Sequence, residues 1–177
     1  MRKKIMDIKE EEQSIIEWLN KADDINYPIN NLFDDIEDIY WSHISQFQNL
    51  SEDFIEKYKN YVDWRYTSKH QALFESFIER YVDHVDWEMI SIHQILSESF
   101  IEKHKDRFDW YHISQYQKLS EDFIERHEDY VNWDYIIQYQ SLSKRFVERH
   151  KDKVNWEFLP GFQAYYKINS KNVSQNF

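Results

Sequence analysis

The seven tryptophans of this chain stand at positions 18, 41, 64, 87, 110, 133 and 156. Every interval is 23 residues, and no Trp lies off the lattice. A fixed period of this length marks a repeat architecture, in which one supersecondary unit is copied and stacked. Aligning the copies on Trp brings further columns into register. Gln follows seven residues later at Gln48, Gln71, Gln94, Gln117, Gln140 and Gln163. Leu follows at Leu50, Leu73, Leu96, Leu119 and Leu142. Phe54, Phe77, Phe100, Phe123 and Phe146 come next, each with Ile or Val beside it. Glu56, Glu79, Glu102, Glu125 and Glu148 are each followed by Lys or Arg, and pairs such as Val62-Asp63 and Val154-Asn155 close the unit.

Within one unit the apolar spacing is helical twice over. Trp64, Thr67, His70 and Gln71 fall at i, i+3, i+6 and i+7, one face of a short helix. Asp63 precedes it as an N-cap candidate. Phe77, Ile78 and Tyr81 mark a second helix, whose N-cap in neighbouring units is Ser51, Ser97, Ser120 or Ser143. Leu50 with Ile55, and Val85 with Ile90, have the spacing of a hydrophobic staple. The spacing predicts two helices of about nine residues per unit, too short to persist alone. Each unit must therefore bury its face on its neighbours, and the expected fold is an all-α, α-helical solenoid of 23-residue two-helix repeats. Residues 41–163 carry the regular repeats. Residues 1–40 are expected to form capping helices and a degenerate acidic repeat, and 164–177 a C-terminal cap and tail.

Composition then removes classes of function. One Gly in 177 residues leaves no material for a P-loop, a Rossmann turn or a nucleophile elbow, each of which needs several. With no Cys there are no disulfides, thiolate metal sites or cysteine nucleophiles. Met1 to Ile16 lacks the apolar run of a secretory leader, and no stretch approaches 18 apolar residues, so a cytoplasmic protein with no membrane contact is expected. Net charge is −11, with 11 Asp/Glu and 5 Lys/Arg in residues 1–40 alone. Direct nucleic-acid binding is disfavoured, because phosphate neutralisation needs a basic surface.

The unit Trp110-Tyr-His-Ile-Ser-Gln-Tyr-Gln-Lys-Leu-Ser-Glu-Asp-Phe-Ile-Glu-Arg-His-Glu-Asp-Tyr-Val-Asn132 resembles short helical repeats in proteins of giant DNA viruses and some bacteriophages. The resemblance covers about residues 41–163. That group carries no settled biochemical activity. The resemblance implies a viral or mobile-element origin, and with it interference with a host protein.

Candidate chemistry has to be weighed against packing. His104, His127 and His150 share one column, and His70 and His93 another. Residues one repeat apart stand about 10 Å apart in a solenoid, too far for one ion with bonds near 2 Å. The same columns hold Tyr58, Tyr81, Phe47 and Tyr116 elsewhere, so these His are expected to replace aromatics at half-buried packing positions. The Gln column points toward the core, where a buried amide must be hydrogen-bonded, to the turn between helices or to the next Gln. The Glu-Lys/Arg column is expected to be a solvated face with weak ion pairs. No cofactor, metal site or catalytic set is evident, and an enzyme is not expected.

Columns that vary are better functional candidates, because packing does not dictate them. On the first helix they hold His43, Tyr66, Met89, Ile92, Tyr111, His112, Tyr135 and Phe158, the composition of a protein-binding surface if exposed. Asp34, Asp35, Glu37 and Asp38 belong to an acidic N-terminal patch, either a solubilising cap or a mimic of phosphate for a basic channel. The leading expectation is a non-enzymatic solenoid, monomer or dimer, that binds another protein. The resemblance suggests a host defence or nucleic-acid-processing factor blocked by occupancy of its surface. A self-assembling structural protein and an RNA-binding repeat array are the alternatives.

Overall fold

A computed structural model describes residues 7–21, 32 and 38–157. Among them every element is helical. The helices are α1 (Ile8–Leu19), α2 (Asp38–Phe47), α3 (Glu52–Lys57), α4 (Trp64–His70), α5 (Glu75–Arg80) and α6 (Trp87–His93). They continue as α7 (Glu98–Lys103), α8 (Trp110–Tyr116), α9 (Glu121–Arg126), α10 (Trp133–Tyr139) and α11 (Lys144–Arg149), followed by a 3-10 turn at Lys151–Lys153. The chain is an α-helical solenoid of 23-residue repeats, in which the first helices α4, α6, α8 and α10 open on Trp and the second helices α3, α5, α7, α9 and α11 carry Phe-Ile or Phe-Val. It forms two compact units, Met1–Gln94 and Ile95–Phe177. In the first, α2, α4 and α6 pack in succession and α1 lies on α3; in the second, α8 packs on α10. No described helix is long and apolar enough to cross a membrane.

The helices from α3 to α11 are six or seven residues long, shorter than the expected nine. Each first helix stops because its Gln turns extended, as at Gln71 (φ −91°, ψ 144°). Each second helix stops at the aromatic or His after the charged pair, as at Tyr58 (φ −107°, ψ 23°). Their starts follow the caps. Asp63, Asp86, Asp109 and Asn132 accept from a backbone N–H in the first turn of α4, α6, α8 and α10. Ser51, Ser97, Ser120 and Ser143 do the same for α3, α7, α9 and α11.

Helices this short hold because each repeat completes the polar bonding of another. Gln71 Nε2 donates to Ser45 O and Gln48 O, both at 2.8 Å, and its Oε1 accepts from Leu50 N at 2.8 Å. Gln94 repeats this on Ser68 O, Gln71 O and Leu73 N, and Gln140 on Ser114 O, Gln117 O and Leu119 N. The Gln is therefore a clip that satisfies the inter-helix turn of the preceding repeat. Ser45, Ser68 and Ser114 hydroxyls accept from Asp63 N, Asp86 N and Asn132 N, each at 2.9 Å. Where Ile137 takes the Ser position, Asn155 N turns to Asp134 Oδ1 at 2.9 Å. From Trp64 to Trp156 each Trp indole pins the turn before it, as in Trp64 to Lys59 O (3.0 Å) and Trp110 to Lys105 O (3.0 Å). A carboxylate ladder joins the second helices: Glu11 accepts from Ser51 N (2.8 Å), Glu52 from Phe74 N (2.7 Å), Glu98 from Ser120 N (2.5 Å) and Glu121 from Ser143 N. Lys144 occupies the same position in α11.

The core is built from the columns that the period brings together. Phe54, Ile55, Ile78, Ile101, Phe123, Ile124, Phe146 and Val147 are all buried on the second helices, and Ile44, Ile90, Ile113 and Ile136 face them from the first. One position breaks the pattern. Phe74 replaces the capping Ser of α5, makes no side-chain cap and leaves its ring 74% exposed. Loss of such a cap typically costs about 1 kcal/mol. Phe74→Ser is therefore expected to raise stability by about 0.5–1 kcal/mol, read as a higher urea midpoint. An unchanged or lower midpoint would mean that the ring contributes packing that its exposure does not suggest.

Candidate partner-binding surface

Five of the sequence candidates lie wholly or in their side chains outside the described residues. Asp34, Asp35 and Glu37 fall outside the described residues; Asp38 begins α2, but its side chain falls outside them. Phe158 also lies outside them. The remaining candidates separate by column. His43 is exposed; Tyr66, Ile92, His112 and Tyr135 are half-buried; Tyr111 is 42% exposed. Met89 is 7% exposed, so it packs in the core and is not part of a surface. Its apolar, flexible chain fills space where other repeats hold His or Tyr.

The column that sequence reasoning assigned to packing proves to be the exposed one. Six residues after Trp stand Phe47, His70, His93, Tyr116 and Tyr139, all exposed. Position six lies about 120° from Trp around a helix of 3.6 residues per turn. It is also the last helical residue before the chain turns away at Gln, so nothing closes over it. His70 and His93 are thus surface residues, contrary to the expectation of half-buried packing. Burial of the ring, and then the neighbouring Lys69 ammonium, hold both imidazoles below their ordinary pKa. His70 adds to the effect on His93.

The expectation does hold for the other His column. His127 is buried, with Nδ1 donating to Phe123 O (2.8 Å) and Nε2 2.9 Å from Glu102 of the preceding repeat. Its ring stacks on Phe123 at 4.1 Å and on Trp110 at 5.2 Å. His150 repeats this on Phe146 and Trp133, and Tyr58 fills the position in an earlier repeat, bonded to Glu12. The Glu-Lys/Arg column also works between repeats: Arg80 pairs with Glu56 (2.7 Å) and Arg149 with Glu125 (2.7 Å). Among the described residues no group of three or more His, Asp or Glu could hold a metal ion.

Positions two and six are i and i+4 on the first helix, so they share a face. Ring contacts join them at 5.8 Å in His43–Phe47 and 6.0 Å in Tyr66–His70 of the first unit. In the second unit they join His112–Tyr116 (6.1 Å) and Tyr135–Tyr139 (5.6 Å). Tyr111 and Tyr135 extend this across repeats, with ring centroids 4.3 Å apart and a hydroxyl–hydroxyl hydrogen bond. The Tyr111 hydroxyl, with desolvation, pushes the Tyr135 phenol up to about 12, so it stays neutral. Each unit thus presents an aromatic strip on its first helices. In the second unit charge avoids this strip: α8, Trp-Tyr-His-Ile-Ser-Gln-Tyr, has no Asp, Glu, Lys or Arg, and α10 has only Asp134. The second helices carry both signs in nearly every turn.

Sequence reasoning missed Phe47, Phe74, Ile95, Tyr116 and Tyr139 as surface candidates; Ile95 is 96% exposed. Two of them had a signal. Phe74 interrupts a column of Ser, and Ile95 one of Asn49, Ala72, Lys118 and Ser141. In comparisons with known proteins, no family model, no curated protein and no solved structure matches this chain.

Proposed function

We propose that this chain is a non-enzymatic binding module that holds another protein along the aromatic strips of its first helices. The observation that carries this reading is the exposure of Phe47, Tyr111, Tyr116 and Tyr139 on helices almost free of charge, in a chain that is otherwise densely charged. Depletion of charge with enrichment of Tyr, Phe and His is the composition of an interface centre. Tyr supplies large, stiff contact area with a polar tip and little rotamer entropy to lose. The resemblance to viral and phage repeats points to a host defence or nucleic-acid-processing factor as the partner, blocked by occupancy. A net charge of −11 favours a partner with a basic surface.

The test is affinity capture with the full chain from the host cell, beside the variant Tyr111→Ala/Tyr116→Ala/Tyr139→Ala. The same partner should appear with the parent chain and be lost with the variant, while the thermal melts stay close because all three side chains are substantially exposed. A partner retained at full yield by the variant would remove the strip from the mechanism.

A further inference from the structure

We propose that a second copy of this chain docks on this surface, the basic end of the first unit's strip around Lys69 seating on the phenol cluster Tyr111, Tyr116, Tyr135 and Tyr139 of the other copy. The two strips occupy the same columns but differ in chemistry. Five and six residues after Trp the first unit has Gln46-Phe47, Lys69-His70 and Ile92-His93, whereas the second has Gln115-Tyr116 and Gln138-Tyr139. The one is a cation beside imidazoles, the other a set of neutral rings.

Each side also lacks, within its own chain, what the other offers. Four rings elsewhere in the second unit have a cation of their own. Lys105 Nζ lies 5.6 Å from the Tyr130 centroid and Lys153 Nζ 5.4 Å from Trp133, and the Arg126 and Arg149 guanidinium carbons lie 5.5 and 5.8 Å from Phe123 and Phe146. Among the described residues no cation lies over any of the four strip tyrosines. Lys69 is exposed and has no carboxylate partner among the described residues, while Arg65 on the same helix is bound to Asp86 at 2.9 Å. An ammonium over a phenol face is attracted by the ring quadrupole, more so once water is excluded. Two chains of charge −11 repel at long range, so a contact between copies is favoured where one surface is locally cationic and the other charge-poor. In a closed pair the exchange is made twice, each copy giving one strip and receiving the other. The pairing uses the strips proposed above to hold a partner protein, yet needs no foreign partner to form.

Sedimentation equilibrium of the full chain across the micromolar to millimolar range tests it, with Lys69→Glu and Tyr116→Leu/Tyr139→Leu as variants. All three positions are exposed, and circular dichroism checks that the variants remain folded. The parent chain should form a reversible dimer, and each variant alone should dissociate at least about tenfold more readily, the worth of one or two cation–π contacts. Mixing the two variants should restore association, because the mixture retains one intact basic strip and one intact phenol strip. A parent chain that stays monomeric throughout overturns the proposal. So does a dimer indifferent to both variants, or two weakened variants that fail to rescue one another. A monomeric parent that still captures a host protein would overturn the pairing alone and leave the binding function standing.

Discussion

Replacing Gln94 with Leu is expected to lower stability by about 3–5 kcal/mol, in a molecule whose whole margin is of order 5–15 kcal/mol. The side chain is 7% exposed and serves three backbone groups at once: it accepts from Leu73 N at 3.1 Å and donates to Ser68 O and Gln71 O at 2.8 Å. Leu has similar volume, so packing is nearly conserved while the turn loses its polar partners. An unsatisfied buried donor or acceptor costs about 1–3 kcal/mol, and the neighbouring helix cannot supply a substitute. Urea denaturation should show a lower midpoint with an unchanged slope. Gln138→Leu is the control. That side chain is exposed, and its replacement should change stability by no more than about 0.5 kcal/mol. Equal effects at the two positions would mean that the clip contributes no more than any surface amide.

Phe123→Ala is expected to cost about 3–5 kcal/mol, the range for removing a large aromatic from a packed core. Phe123 has no solvent exposure and stacks on His127 at 4.1 Å and Trp110 at 6.2 Å. Truncation removes one face of the ring stack and leaves a cavity that short, doubly capped helices cannot close by shifting. Hydrogen exchange should show the loss first in α8, α9 and the turn around His127. Phe47→Ala makes the contrast, since that ring is 61% exposed and should be nearly neutral. The two substitutions are chemically identical, so their difference measures what position in the repeat is worth. Comparable losses would contradict the division into core and surface columns.

The periodic part of the fold was legible because it depends on residue type at fixed spacing. Trp at every 23rd residue, Ser51 and Asp63 as caps, and the inward Gln are local or lattice properties. Helix length was less legible. With no Gly to mark a C-terminus, only the φ and ψ of Gln71 and Tyr58 show where each helix ends. The exposed strip was misread for the same reason. The residue before Gln lies about 120° from Trp and is the last of a seven-residue helix, so it sits at the exit and faces water. His70 and His127 are alike in composition and regular recurrence. Only the structure separates an imidazole beside a surface ammonium from one clamped between Phe123 and Glu102. Met89 fails as a surface candidate because its column varies in burial as well as in identity, from exposed His43 through half-buried Tyr66, His112 and Tyr135 to buried Met89.

The Gln clip has a consequence for how such a chain can change over generations. Each copy reaches back to complete the one before it, and none needs a residue peculiar to its place in the series. An in-frame duplication or loss of 23 codons, starting at any phase, therefore yields a junction with the same bonds as those already present. A shift of 22 or 24 would sever them. Reach can then be adjusted in whole modules by in-frame gain or loss of repeats, while the strip residues change separately in each copy. A lineage under pressure from a changing target would keep the frame fixed and rewrite the face.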